Sequence, residues 1–380
     1  MPPTRAAGLA RLAEFAPRMG RDYAEGRNHD PGPAGPRHVS ALAPYIRHRL
    51  VTEQEVVAAA LAAHGAEAAG KFIQEVFWRS YWKGWLAQRP AVWSAYRARV
   101  AAGLAATPEG YAAAIAGRTG IDCFDAWVQE LIETGYLHNH ARMWFASIWI
   151  FTLRMPWELG ADFFLRHLLD GDAASNTLSW RWVAGLHTRG KHYVARAGNI
   201  ERYTGGRFAP HGRLNETPSA LPEPDPPAPR PIPSLPVPPS GPVILLLHED
   251  DLHPESLPLT GLDVRRVIGV CGAAARSPLG AAPMVQFFAE GALEDGLSRS
   301  ARHFGVPAER VALDDLPGLL AQDAAVMPEA PVGWLADGLR PYGAVPLRRP
   351  WDAACWPLAG RGFFAFGQHI PRLCAELIAA

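Results

Sequence analysis

Several short clusters in this 380-residue chain hold side chains suited to binding and orienting a ligand rather than attacking one. Glu75 and Trp78 lie three residues apart, and Asn139 and Met143 four apart, so on helices each pair shares a face. Trp78 and Trp182 supply flat rings for stacking, and a carboxyl such as Glu75 hydrogen-bonds the edge of whatever stacks there. The string Leu169-Asp-Gly-Asp-Ala-Ala-Ser-Asn176 adds two carboxylates and an amide that both donates and accepts. Taken singly, each has a plainer meaning: tryptophans at helical spacing are mostly core, Asn176 alone reads as a helix cap, and Arg142 and Asp170 read as unrelated surface charges. The cysteines Cys123, Cys271, Cys355 and Cys374 are scattered without a C-x-x-C pair, so neither a zinc site nor a disulfide framework is suggested. They are expected to be reduced, buried, small hydrophobes.

The elements that must position these residues follow from periodicity. Glu53 to His64, Gly70 to Ala87, Pro90 to Leu104, Gly110 to Gly117, Cys123 to Gly135, Asn139 to Thr152 and Trp157 to Leu169 repeat apolar residues every three or four positions. Helix following helix predicts an all-α domain over residues 1–215. Between Pro218 and Pro242 proline recurs so often that extended polyproline II is expected, which makes 216–242 a linker. Beyond it, apolar runs at Val243 to Leu247, Val264 to Val270 and Arg310 to Leu313 alternate with helical stretches at Pro283 to Phe304 and Trp334 to Tyr342. That rhythm predicts a smaller parallel α/β domain over 243–380. No G-x-G-x-x-G follows its first strand, so a dinucleotide-binding reading has little support.

Composition narrows the classes further. Lys and Arg equal Asp and Glu overall, but residues 1–215 hold 25 against 18 and residues 216–380 hold 12 against 19. A moderately basic first half suits a phosphate backbone; two oppositely charged surfaces that attract each other is the bland alternative. No run of eighteen uncharged apolar residues appears and Met1 to Gly20 lacks a secretory core, so a cytoplasmic protein without a membrane segment is expected.

From about Leu9 to Gly212 the chain resembles the helical FAD-binding domain of the DNA photolyase/cryptochrome family. Five segments carry the resemblance in order: Ser40-Ala-Leu-Ala-Pro-Tyr-Ile46, Phe72-Ile-Gln-Glu-Val-Phe-Trp-Arg79, Gly135-Tyr-Leu-His-Asn-His-Ala-Arg-Met143, the Leu169–Asn176 string, and Trp180-Arg-Trp182. Each is weak alone; the combination is specific. The resemblance implies FAD held by Tyr23, Ser40, Leu42, Phe72, Arg79, Arg142, Asp170, Asp172 and Asn176. In it Arg142 pairs with Asp170 beside the isoalloxazine, and Asn176 faces flavin N5. It implies a substrate pocket of Glu75, Trp78, Asn139, Met143 and Trp182, cyclobutane-dimer-like because Asn139 and Met143 stand where (6-4) photolyases resemble H-x-x-x-H. Trp180 and Trp157 match the first two members of an electron-transfer chain. The third falls near Leu104, with Trp93, Trp144 and Trp149 as open substitutes. Arg196 matches a DNA-contacting arginine, and His140 replaces another.

The chain also departs from the pattern. Val39-Ser-Ala-Leu-Ala43 stands in place of Thr-Ser-Arg-Leu-Ser, leaving Arg37, Arg47 or Arg79 to neutralise the pyrophosphate. The helical domain comes first rather than last, and Val243 to Leu252 resembles the first strand and turn of the family's antenna domain, so the α/β part is either a permuted antenna domain or an unrelated module. A second chromophore is not legible. With Cys123 alone in the helical half, the iron–sulfur branch is not expected. The implied function is light-driven repair of cyclobutane pyrimidine dimers in DNA by a monomer. Alternatives are a cryptochrome-like sensor signalling to a protein partner, and a flavoprotein acting on another substrate.

Overall fold

The computed structural model describes residues 1–380 except Ala34, Pro36, Arg37, Ala321, Gln322, Ala379 and Ala380. In chain order the helices are α1 (Arg5–Phe15), α2 (Arg21–Gly26), α3 (Ala43–Arg47), α4 (Glu53–Ala87), α5 (Pro90–Ala105), α6 (Tyr111–Ile115), α7 (Asp122–Thr134), α8 (Asn139–Ser147), α9 (Trp157–His167), α10 (Ala173–Val183) and α11 (Ala197–Tyr203). Then follow β1 (Gly241–His248), β2 (Leu262–Val270), α12 (Pro283–Phe304), β3 (Ala308–Arg310), α13 (Leu316–Leu320), β4 (Ala325–Pro328), α14 (Trp334–Leu339), β5 (Val345–Leu347), α15 (Pro350–Cys355), α16 (Phe363–Gly367) and α17 (Ile370–Ile378). The fold is thus all-helical first and α/β second, as the pattern predicts.

Contacts divide the chain into two compact units, and the division does not fall at the proline-rich segment. One unit is Met1–Gly20, Ser40–Gln88 and Pro229–Ala380; the other is Arg21–Val39 and Arg89–Ala228. The helices α1, α3 and α4 therefore group with the sheet rather than with the later helices. Periodicity could not show this, because it reports which face of a helix is buried and not against what.

In the sheet-bearing unit five parallel strands run in the order β3-β2-β1-β4-β5. Strand β1 is buried continuously from Val243 to His248, as a central parallel strand covered on both faces must be. The run Arg310 to Leu313 is corrected: β3 ends at Arg310, and Leu313 opens a single 3₁₀ turn. Strands β4 and β5 were not legible; with four and three residues they are too short for period-two alternation to register. Helix α4 starts on a capping box, the Thr52 hydroxyl accepting from Glu55 N–H while the Glu55 carboxylate takes the Thr52 N–H. By length and composition α4 alone among the described residues passes for a membrane span. Gly65, at φ 71°, breaks it into two pieces. The first has twelve residues, and the second carries Glu67, Lys71, Glu75, Arg79 and Lys83, which a bilayer would not accept.

In the helical unit α5 and α7 to α10 enclose an aromatic core of Trp127, Trp144, Trp149, Trp157 and Trp180, all essentially without solvent exposure. The expected helix Asn139 to Thr152 is α8 followed by a π-helical turn over Ile148–Thr152. Gly160 on α9 is a close-approach position, since a Cβ there would lie 2.3 Å from the Trp180 ring. The start of the proline-rich segment is not a free spacer. Leu221 N–H donates to Ala184 C=O, Pro218 C=O receives the His192 ring, and Glu223 pairs with Arg99 and Arg181.

Candidate functional site

The best-formed part of the site lies on α8, α10 and the loop between α9 and α10, all in the helical unit. Arg142 donates from both terminal nitrogens to Asp170, at 2.9 and 3.0 Å, while its Nε donates to Leu137 C=O at 2.9 Å. This fork-on-fork geometry fixes the guanidinium plane. Asp170 is nearly buried whereas Arg142 keeps 21% of its side chain exposed, so the pair opens toward one side instead of being sealed. Asp172 caps α10, its Oδ1 accepting from Ser175 N–H at 2.7 Å. One turn along, Asn176 is buried and donates its amide to Ala161 C=O at 2.8 Å, which sets the amide's orientation. The plain helix-cap meaning of Asn176 does not hold; the cap is Asp172.

Asn139 stands exposed at the start of α8, Met143 is half-buried one turn later, and half-buried Trp182 stacks on Tyr193 at 5.6 Å. Arg196 is exposed just before α11. His140 is engaged by neighbours in the helical unit. Its Nδ1 lies 2.9 Å from Asn28 C=O, its Nε2 3.3 Å from the Tyr193 hydroxyl, and its ring stacks on Trp144 at 4.0 Å. Burial lowers its pKa, which favours the neutral ring.

Trp180 and Trp157 are buried on the α9–α10 packing. Trp180 meets Phe164 edge-on at 5.1 Å and Trp149 at 6.3 Å. Trp157 stacks on Tyr96 at 5.7 Å, and Tyr96 lies 5.3 Å from Trp93. Of the open substitutes for the third member, Trp93 is thus linked to Trp157 through Tyr96, a residue that spacing did not single out. Tyr23 is half-buried on α2.

The remaining residues sit in the sheet-bearing unit. Leu42 is fully buried and Ser40 half-buried; the Ser40 hydroxyl accepts from Leu42 N–H, and its carbonyl accepts from Arg11 Nε at 2.7 Å. Between them Ala41 holds φ 52°, a left-handed conformation that costs an alanine about 1 kcal/mol or more. Arg49 and Arg154 hold similar angles, φ 48° and 56°, so the strain does not by itself mark a ligand segment. Of the three arginines named for the pyrophosphate, Arg37 lies outside the described residues. Arg47 is excluded: it is 1% exposed and ion-paired with Asp250 at 2.5 Å. Arg79 is half-buried on α4. The signal missed was Arg11, which reaches the segment from α1. Phe72 packs on Phe15, Glu75 pairs with Lys71 at 3.1 Å, and Trp78 lies flat on Phe363 with centroids 3.5 Å apart and planes within 7°.

At the carboxyl ends of β1 and β4, where an open parallel sheet usually takes a ligand, side chains pack on one another. The guanidiniums of Arg47 and Arg276 each lie over the Trp334 ring at 5.3 Å. Buried Glu249, which accepts from Gly272 N–H at 2.7 Å, is pushed up by its burial and by neighbouring Asp250.

Comparison with known proteins agrees with the helical geometry. The family model for the FAD binding domain of DNA photolyase matches residues 72–213. A deoxyribodipyrimidine photo-lyase of Streptomyces griseus is 38% identical over 170 residues, covering 44% of this chain and 36% of that protein. One from Thermus thermophilus is 32% identical over 224 residues, covering 56% and 49%. A class III photolyase structure from Agrobacterium tumefaciens aligns at 26% identity and TM-score 0.45, covering 53% of this chain and 43% of that one. Residues 72–213 are thus similar to the FAD binding domain of DNA photolyase, a match confined to less than half of the chain, and the chain spans less than half the length of these relatives.

Proposed function

We propose that the chain binds FAD and uses it for light-driven repair of cyclobutane pyrimidine dimers in DNA. The observation that carries the FAD reading is the bidentate Arg142–Asp170 pair, half-open, with Asp172 and Asn176 oriented on the adjoining turn. A fixed guanidinium–carboxylate dipole and a pre-set amide fit the ring edge of a flavin, which hydrogen-bonds through nitrogens and carbonyls alike. When bound, the flavin supplies photo-excited one-electron transfer. The protein's part is to orient, to exclude water and to hold charge: Arg142 maintains the local positive field, Asp170 fixes it, and Asn176 tolerates more than one charge state. Ser40, Leu42, Tyr23, Phe72 and Arg79 are the further FAD contacts. Glu75, Asn139, Met143 and Trp182 accept the lesion, with Arg196 on the DNA backbone. Trp180 and Trp157 refill the flavin.

Two observations favour a sensor that signals to a protein partner as the second reading: His140 is held by its neighbours with the neutral ring favoured, and Trp78 is already stacked. The experiment that decides is illumination of reduced, FAD-loaded protein with dimer-containing oligothymidine, read as recovered absorbance near 260 nm. Repair predicts recovery that Asn139→Ala and Glu75→Ala abolish. No recovery, or variants indistinguishable from the parent, removes the enzyme reading. A preparation that takes up no FAD removes both.

A further inference from the structure

The sheet-bearing unit supplies an element for which the photolyase-like residues leave no role. Helix α16 carries Phe363-Phe364-Ala365-Phe366-Gly367, and Phe363 covers the ring of Trp78 on α4. At 3.5 Å and 7° the two rings overlap almost completely, so no second planar group can lie on that face of the indole. The arrangement is built in rather than incidental. Phe363 is 4% exposed and meets Tyr81 edge-on at 5.4 Å, while Phe366 lies 5.6 Å from Tyr81 and 6.2 Å from Phe77. The Tyr81 hydroxyl donates to Arg361 C=O at 3.0 Å, tying the start of α16 to α4. On the preceding segment the Trp351 indole donates to the Ser80 hydroxyl at 2.8 Å. The helix itself is only five residues long, with glycine before it and at its last position, so it swings out at less cost than a long helix would.

Resting on the repair reading, we infer that Phe363 is a specificity-determining residue that occupies the place of a base on Trp78, and that α16 must move aside before a dinucleotide lesion stacks there. Stacking on an aromatic ring gives a base about 1–3 kcal/mol, a gain that the Trp78–Phe363 contact now holds within the chain. A dimer therefore enters only where its further contacts exceed the lost ring pair. Undamaged DNA, which presents no flipped bases, is insensitive to the gate.

The test compares FAD-loaded parent, Phe363→Ala and Phe363→Leu for binding to oligothymidine with and without a single dimer. The leucine variant preserves apolar volume should the alanine one fold poorly. Removing the ring pair is expected to tighten dimer binding roughly two- to tenfold, leaving affinity for undamaged oligothymidine and FAD content unchanged. In the parent, hydrogen exchange across 361–367 should rise when the dimer is added. Dimer binding that is the same or weaker in both variants, or α16 amides that stay protected in the bound parent, overturns the gate and leaves the repair reading standing. Failure of all three proteins to prefer the dimer removes the repair reading, and the gate with it.

Discussion

Two arginine–carboxylate constellations in this chain look alike in sequence and differ in what surrounds them. Arg49 is 2% exposed and spends its guanidinium on Glu53, Asp251 and Asp352, and Asp251 is clasped again by Arg349. Arg142 meets a single carboxylate and stays partly open to solvent. A closed network tolerates no loss, because each remaining carboxylate would be stranded in a low-dielectric interior. A bidentate pair with an open side has its geometry set and capacity to spare, which is what a ligand site requires.

The sharpest way to break this contrast is Arg49→Met. It should destabilise the protein by about 3–5 kcal/mol, read as a large drop in the urea midpoint or loss of soluble protein. A midpoint near the parent's would mean the network is not structural.

Acid should separate the two regions as well. Burial lowers His138 and His167 to about 4 and His187 to about 3, all in the helical unit. Each stays neutral when folded and charges near 6.5 when unfolded, so its contribution is complete above 6.5 and is lost as pH falls toward 4. For His138 that amounts to about 3 kcal/mol at most. Burial opposes ionisation of Asp251, yet Arg349 and Arg49 hold it far below the usual carboxylate range, so its contribution lasts to much lower pH. At pH 5, hydrogen exchange should accelerate in α8 before β1; the reverse order would contradict this.

Gly160→Ala places a methyl against the Trp180 ring and should cost about 1–3 kcal/mol, measured by thermal melting, with Trp180 displaced in any crystal structure. The smallest effect on stability, about 1 kcal/mol, is expected from Arg142→Met. FAD affinity should nonetheless fall about tenfold or more as two charge-assisted hydrogen bonds disappear, seen in equilibrium dialysis. Asn176→Asp should alter the absorption spectrum of the photoreduced flavin. If Arg142→Met retains FAD like the parent, the open pair is not the flavin site.

Much of this was legible from residue order. Helices α5, α7 and α9 fall within a residue or two of the periodic segments, and the Leu169–Asn176 string led to a real Arg142–Asp170 pair because both halves belong to short, patterned segments. Residue order gave no sign of which way the His140 ring faces. Cys271 and Cys374 are half-buried rather than buried, for the same reason.

Sequence alone determined the helical character of the first part, the α/β character of the second half and the pairing of Arg142 with Asp170, since these depend on local periodicity and on motifs a few residues long. Only the tertiary structure decided that α4 groups with the sheet, that Arg47 is spent on Asp250 and that Trp78 lies beneath Phe363. The physical reason is range: Trp78 and Phe363 are far apart along the chain, and long-range packing leaves no periodic trace in either segment it joins.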